Sequence, residues 1–181
     1  MACNVDVTLP TPRGLQPGNG SLVQLLVTAT GVQPVVAGKP ERPLHAEAME
    51  RTGATRPLVV GDRLDTDIEG AVRGGADSLL VLTGVSGPAD LVVAPPSQRP
   101  SYLSADLHGL NATHPAVTEA QESSFSCGGW TARLAGDGKQ LELTGDGQPI
   151  DGLRALCAAA WSVPDGAARP DASAALKSLG L

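Results

Sequence analysis

Leu58-Val59-Val60-Gly61-Asp62-Arg63-Leu64-Asp65-Thr66-Asp67 decides the reading of this chain, because a short apolar run ends at a glycine and then delivers three carboxylates within six residues. The apolar run predicts a buried β-strand, and the acids predict a rim that wants a cation. Carboxylates a few ångströms apart repel one another, so at neutral pH one takes up a proton or a hard divalent ion settles between them. Magnesium is the first expectation. Upstream, Pro34-Val35-Val36-Ala37-Gly38-Lys39-Pro40 is another apolar run that breaks at a glycine and delivers a lysine. Acids combined with one lysine describe a phosphate site.

Working outward, Pro17-Gly18-Asn19-Gly20-Ser21 reads as a turn that opens an apolar helix from Leu22 to Ala29, with Gly31 at its C′ position. Val35 to Ala37 reads as a short buried strand. Residues 43–52 carry Leu44, Ala48 and Met49 at helical spacing before Gly53. Leu58 to Val60 is the next buried strand, residues 66–73 a helix ended by Gly74-Gly75, and Ser78 to Leu82 a third strand. Alternation at this pitch implies parallel strands joined by right-handed crossovers, with ligands at the strands' carboxyl ends. Lys39 and Asp62 both lie just past a strand end and are expected on one rim.

The core is expected to run to about residue 110, with Ser101 to Leu103 as a last edge strand. Residues 111–124 are polar, mildly acidic and interrupted by Pro115, which is linker composition. From Phe125, Trp130 to Leu134 and Gln140 to Leu143 flank Gly136-Asp137-Gly138, a hairpin signal. Two helices follow: Leu153 to Trp161, with Leu153, Leu156, Cys157 and Ala160 on one face, and Ala172 to Leu179. The expected fold class is α/β, an incomplete Rossmann-like parallel sheet flanked by helices, plus a small α+β C-terminal unit.

With 181 residues and 41% hydrophobic content the chain can bury one sizeable core and a small appendage. A net charge of -6, with no local cluster of Lys or Arg, argues against nucleic acid and favours small-molecule partners. No apolar stretch approaches the roughly 20 residues of a membrane helix, so no membrane role and a cytoplasmic location are expected. Cys3, Cys127 and Cys157 are odd in number and widely spaced, which points to reduced thiols rather than a disulfide or zinc framework.

Gly38-Lys39-Pro40, Gly61-Asp62-Arg63-Leu64-Asp65-Thr66-Asp67 and Leu82-Thr83-Gly84-Val85-Ser86 together resemble the haloacid dehalogenase superfamily. The likeness is to its small-molecule phosphatases related to nitrophenyl-phosphatases, NagD-like nucleotidases, phosphoglycolate phosphatase and pyridoxal phosphatase. Asn4-Val5-Asp6, Leu9-Pro10 and Pro17-Gly18-Asn19-Gly20 look like the segment by which those enzymes return from cap to core. Beyond residue 125 the chain resembles the acetyltransferase-like appendage of actinobacterial members, some of which act on glycerol 3-phosphate.

The resemblance implies a two-step, magnesium-dependent phosphoryl transfer through an aspartyl phosphate, on a small phosphorylated metabolite. It implies that Lys39 neutralises the nucleophile and the transferred group, that Asp62 binds magnesium, and that Asp67 supports the metal's water shell or orients its ligands. Lys39 and Asp62 are thus the catalytic candidates, Lys39 the phosphate ligand, and Asp62 and Asp67 the metal ligands. The family's nucleophile lies in an Asp-x-Asp-Gly motif, and these 181 residues contain none. The expectation is therefore the C-terminal half of such a phosphatase, inactive alone. The alternative is a non-catalytic phosphate- and metal-binding subunit or an inactive remnant. An open apolar sheet edge predicts poor solubility or a homo-oligomer.

Ordinary readings stand beside these: a solvated loop lysine for Lys39, a helix N-cap for Asp62, and a first-turn acid for Asp67. His45, His108 and His114 show no ligand spacing. Gln33 and Pro40 stand where a P-loop needs glycine and Ser or Thr, which excludes that reading. Motif order argues against a phosphoacceptor receiver, since there the acids precede the lysine, whereas here Lys39 precedes Asp62.

Overall fold

The computed structural model describes residues 1–120, 123–136 and 138–181, and the chain forms two compact units. The first comprises Met1–Val85 and Pro96–Tyr102. It opens with a hairpin that the sequence pattern hides among Pro10, Pro12 and Pro17: β1 (Thr8–Thr11) pairs antiparallel with β2 (Gly14–Pro17), Thr8 opposite Pro17. α1 (Asn19–Thr30) and α2 (Pro43–Thr52) follow. Each ends as its sequence predicts, on a left-handed glycine, Gly31 and Gly53, whose N–H returns to the helix's last turn.

β3 (Leu58–Gly61) runs parallel to β4 (Asp77–Val81), with Gly61 opposite Leu80, and β5 (Tyr102–Ser104) is third in the order β3-β4-β5. Between β3 and β4 the chain makes a π turn, Leu64–Ile68, which leads into α3 (Glu69–Gly74), so the helical segment begins two residues earlier than its apolar spacing indicates. Leu64, Ile68, Ala71, Leu79, Leu80 and Val81 form the core of this layer. Ser78 N–H donates to Ser101 Oγ and Ser101 N–H to Ser78 Oγ, each at 3.2 Å, fixing the segment before β5 against β4.

Two expectations are corrected here. Val35 to Ala37 is not a buried strand: Val36 makes one parallel bridge to Ala2, and Val35 is 68% exposed. Its partner is only the short segment after Met1, too brief to extend a ladder or to cover both faces. Leu58 is likewise 43% exposed, because β3 is an edge strand with a neighbour on one side only.

The second unit comprises Ser86–Pro95 and Leu103–Leu181. α4 (Pro88–Val92) belongs to it, as does an antiparallel sheet in the order β6 (Thr118–Glu119), β7 (Phe125–Cys127), β8 (Trp130–Leu134) and β9 (Leu141–Gly145). β6 lies within the stretch whose composition reads as linker. The β8–β9 hairpin has Leu134 opposite Leu141; of its expected turn, Asp137 lies outside the described residues. α5 (Pro149–Trp161) packs across this sheet beside α6 (Ser173–Leu179), and Leu153, Leu156, Cys157 and Ala160 are all buried, as their spacing requires. Buried Asp151 pairs with Arg154 one turn later, and Trp161 Nε1–H donates to Leu91 O at 3.2 Å. Among the described residues no helix is long and apolar enough to cross a membrane.

Candidate active site

Two backbone segments deliver the site lysine. Residues 2–5 run beside 35–39, with Ala2 N–H donating to Val35 O and Ala37 N–H to Ala2 O, both at 2.8 Å, and Val5 N–H to Lys39 O at 3.3 Å. Glycine is required at Gly38, because a β-carbon there would run into Cys3 O. The Lys39–Pro40 peptide is cis. Lys39 Nζ then lies 2.7 Å from Asp67 Oδ1 and 3.4 Å from Asp6 Oδ2. Burial pulls the ammonium's pKa down, but the hydrogen bond and charge of Asp67, followed by those of Asp6, outweigh it and hold the pKa above its ordinary 10.5.

The second rim loop begins where β3 ends. Asp67 is nearly enclosed, and both of its oxygens are engaged: Oδ1 by Lys39, Oδ2 by Arg63 N–H at 3.2 Å. The π turn brings Asp67 back over the end of β3, and a β-carbon at Gly61 would collide with it. Asp62 Oδ2 accepts Val85 N–H at 2.9 Å, and a side chain at Gly84 would strike that same oxygen. The glycine of Leu82-Thr83-Gly84-Val85 therefore lets the third motif close on Asp62.

Arg63 is buried although charged. Its guanidinium forks onto Asp65, Nε–H to Oδ1 at 3.0 Å and Nη2–H to Oδ2 at 2.7 Å, donates to Thr8 O at 3.4 Å, and sits 3.8 Å from Asp6 Oδ1. The Asp65 hydrogen bond leads the interactions that hold Arg63 firmly charged.

A cavity of about 520 Å³ opens over these groups, lined on its polar side by Asp6, Lys39, Asp62 and Arg63, and on the other by Leu9, Pro10, Pro17 and Leu22. Lys39 and Asp62 thus face one space, and Asp67 is tied directly to Lys39. Asp6 and Arg63 are the residues that motif reasoning leaves out. The available signal for Asp6 was its place in Asn4-Val5-Asp6 just before the Pro- and Gly-rich turn; nothing in the sequence distinguished Arg63 from a surface arginine.

Among the described residues, no three ligating side chains group tightly enough to hold a metal by themselves. The arrangement still fits magnesium, which commonly takes one or two protein carboxylates and fills its remaining positions with water and phosphate oxygens. Asp62 faces the cavity, whereas Asp67 is committed to Lys39 and the Arg63 amide. Four carboxylates, Asp6, Asp62, Asp65 and Asp67, against Lys39 and Arg63 leave two negative charges for a divalent ion to balance.

Residues 36–110 match the family described as HAD-hydrolase-like, and residues 127–181 match the GCN5-related N-acetyltransferase like domain. The chain is 47% identical over 165 residues to the D-glycerol 3-phosphate phosphatase of Mycobacterium tuberculosis, covering 89% of this chain and 46% of that one. It superposes on the crystal structure of the M. tuberculosis glycerol phosphate phosphatase in complex with magnesium with a TM-score of 0.74 and 44% identity, covering 88% of this chain and 47% of the other. The 4-nitrophenylphosphatase of Thermotoga maritima gives a TM-score of 0.53 and 33% identity, covering 59% and 41%. The chain spans about half the length of the curated relatives it matches. Lys39, Asp62 and Asp67 all lie inside the matched segment, and residues 36–110 of this chain are HAD-hydrolase-like.

Proposed function

We propose that this chain carries the lysine and metal side of a magnesium-dependent phosphatase centre for small phosphorylated metabolites, glycerol 3-phosphate among them. The observation that carries the reading is the Lys39 ammonium held by two carboxylates at the edge of a cavity it shares with Asp62. Lys39 is a point charge for the phosphoryl oxygens, and Asp67 keeps it aimed. Asp62 would hold magnesium, which, when bound, offsets charge on the transferred group. Glycerol 3-phosphate is favoured because the relative matched over most of this chain, the M. tuberculosis phosphatase, bears that substrate in its name.

The nucleophile such chemistry needs would come from an Asp-x-Asp-Gly segment, which these 181 residues do not contain. They are therefore proposed to bind phosphate and magnesium without turning over. Calorimetry should show magnesium-dependent binding of inorganic phosphate that Lys39→Met weakens without eliminating it; no binding by the parent protein overturns the site. Hydrolysis of p-nitrophenyl phosphate or glycerol 3-phosphate by these residues alone overturns the inactivity. A permanently non-catalytic binding subunit is the second reading, favoured by that missing motif, and it fails if adding a polypeptide with the motif restores turnover.

The proposed division is a core over residues 1–110, a linker at 111–124 and an acetyltransferase-like unit at 125–181. The matches at 36–110 and 127–181 support it, although residues 103–110 pack with the second compact unit. The proposed setting is the cytoplasm, where Cys3, Cys127 and Cys157 stay as free thiols. No nucleic-acid or membrane partner is proposed. A homo-oligomer is, because the apolar residues of α1 stand open; light scattering from a monodisperse monomer would remove it.

A further inference from the structure

Asp6 is placed with unusual care for an acid that none of the three motifs contains. Its own N–H donates to Asn4 Oδ1 at 3.2 Å, which bends the chain, and its carbonyl accepts Gly20 N–H at 2.8 Å from the first turn of α1. Gly18 and Gly20 are glycines of necessity, since a β-carbon at Gly18 would strike Asp6 O and one at Gly20 would strike Val5 O. Asn19 adds a side-chain bond to Asn4 O at 2.7 Å. The start of α1 therefore clamps residues 4–6 from behind, while Val5 is bonded to Lys39 O in front.

What the clamp presents is a carboxylate between the site's two cations. Oδ2 lies 3.4 Å from Lys39 Nζ, and Oδ1 is 3.8 Å from Arg63 Nε, beyond hydrogen-bonding distance. Oδ1 is also buried without a hydrogen-bond partner. A buried, unsatisfied carboxylate oxygen is costly, so its fixed position between Lys39 and Arg63 calls for a compensating role.

We propose that Asp6 is a positioning residue of the phosphate site: it holds the Lys39 ammonium over the cavity from the side opposite Asp67 and, through Arg63, ties the Lys39 loop to the Asp62 loop. This rests on the reading of Lys39 as the phosphate ligand. Lys39 has three N–H donors; Asp67 and Asp6 take two directions, which aims the third. Removing Asp6 leaves the ammonium swinging about a single tether. A carboxylate that served only as a nearby negative charge would do the reverse, repelling phosphate, so its neutralisation would tighten binding.

The test is Asp6→Asn in the full chain, which keeps the size and removes the charge. Phosphate affinity in the presence of magnesium, read by calorimetry, is expected to fall roughly two- to fivefold, the range of a part-exposed ion pair. In a Lys39→Met background the same change is expected to have no weakening effect. Unchanged or tighter binding, or equal weakening in both backgrounds, overturns the proposal. A second readout needs no phosphate: by NMR, the titration midpoint of the Lys39 ammonium is expected to fall in Asp6→Asn and to return toward the parent value in Asp6→Glu. An unchanged midpoint overturns the positioning role. Failure of the parent protein to bind phosphate, with the midpoint still shifting, would sink the phosphatase reading and leave the Asp6–Lys39 coupling standing.

Discussion

The two units bury their helices very differently. In α5, eight of thirteen residues are buried, among them Leu153, Ala155, Leu156, Ala159 and Ala160, none of which retains measurable exposure. In α1, of twelve residues, only Gly20 is buried, and Leu22, Leu25 and Leu26 are each about 60% exposed. α2 buries none. The unit carrying the four-stranded antiparallel sheet closes its own core, whereas the unit carrying Lys39, Asp62 and Asp67 places those side chains through backbone pairings, glycine contacts and ion pairs around one small layer. The larger buried helix face and the charged cluster thus belong to different units, and perturbations of each should read out separately.

The sharpest way to break that contrast is to truncate the same residue type in both helices. Leu156→Ala should cost about 3 kcal/mol in urea unfolding, while Leu25→Ala should stay within about 0.5 kcal/mol; similar losses would erase the distinction. Asp151→Ala strands a buried guanidinium, because Arg154 is otherwise bonded to Leu103 O and to His114 Nδ1. A loss of about 3 kcal/mol is expected, with phosphate binding untouched. In the other unit, Gly84→Ala pushes Asp62 off its bond to Val85 and should weaken magnesium binding about tenfold with little change in the unfolding midpoint, the magnitude usual for disturbed ligand placement.

The smallest expected effects are in titration. The pKa of Lys39 is higher folded than unfolded, so its contribution is complete below pH 10.5 and is lost as pH rises through the elevated folded value. Parent and Lys39→Met unfolding curves should thus converge in strong alkali, and curves that stay parallel would remove the ion pairs from the account. Thiol reactivity divides the units in the same manner. Cys3 is exposed and should react with iodoacetamide, whereas burial pushes the Cys127 and Cys157 thiols up, and both should react only on unfolding.

Much of this architecture was legible. Gly31, Gly53 and Gly75 end their helices because a left-handed residue is needed where each chain reverses, and the parallel β3–β4 pair follows from the strand–helix–strand period. Asp62 and Asp67 follow the end of β3 as their motif implies, whereas Lys39 is brought beside them by the pairing of residues 2–5 with 35–39 rather than by a strand end of the same layer. Burial was less legible: apolar content at Val35 and Leu58 signals strand propensity, but only neighbours decide whether a side chain is covered. Asp6 escaped because its significance depends on a pairing across more than thirty residues with the Lys39 segment, and no local pattern encodes that. The β1–β2 hairpin escaped because its prolines argue against a ladder that, as an isolated pair, tolerates them.

The wide turn at Leu64–Ile68 carries one residue more per loop than an ordinary helix, and that surplus sets the angular phase of everything after it. Deleting Asp65 would let the segment relax to regular winding and rotate Asp67 by about 100° around the axis, off the end of β3 and away from its lysine. Length in this loop is accordingly constrained as well as composition: a substitution at Asp65 disturbs the Arg63 fork, whereas loss of one position is expected to displace Asp67 itself.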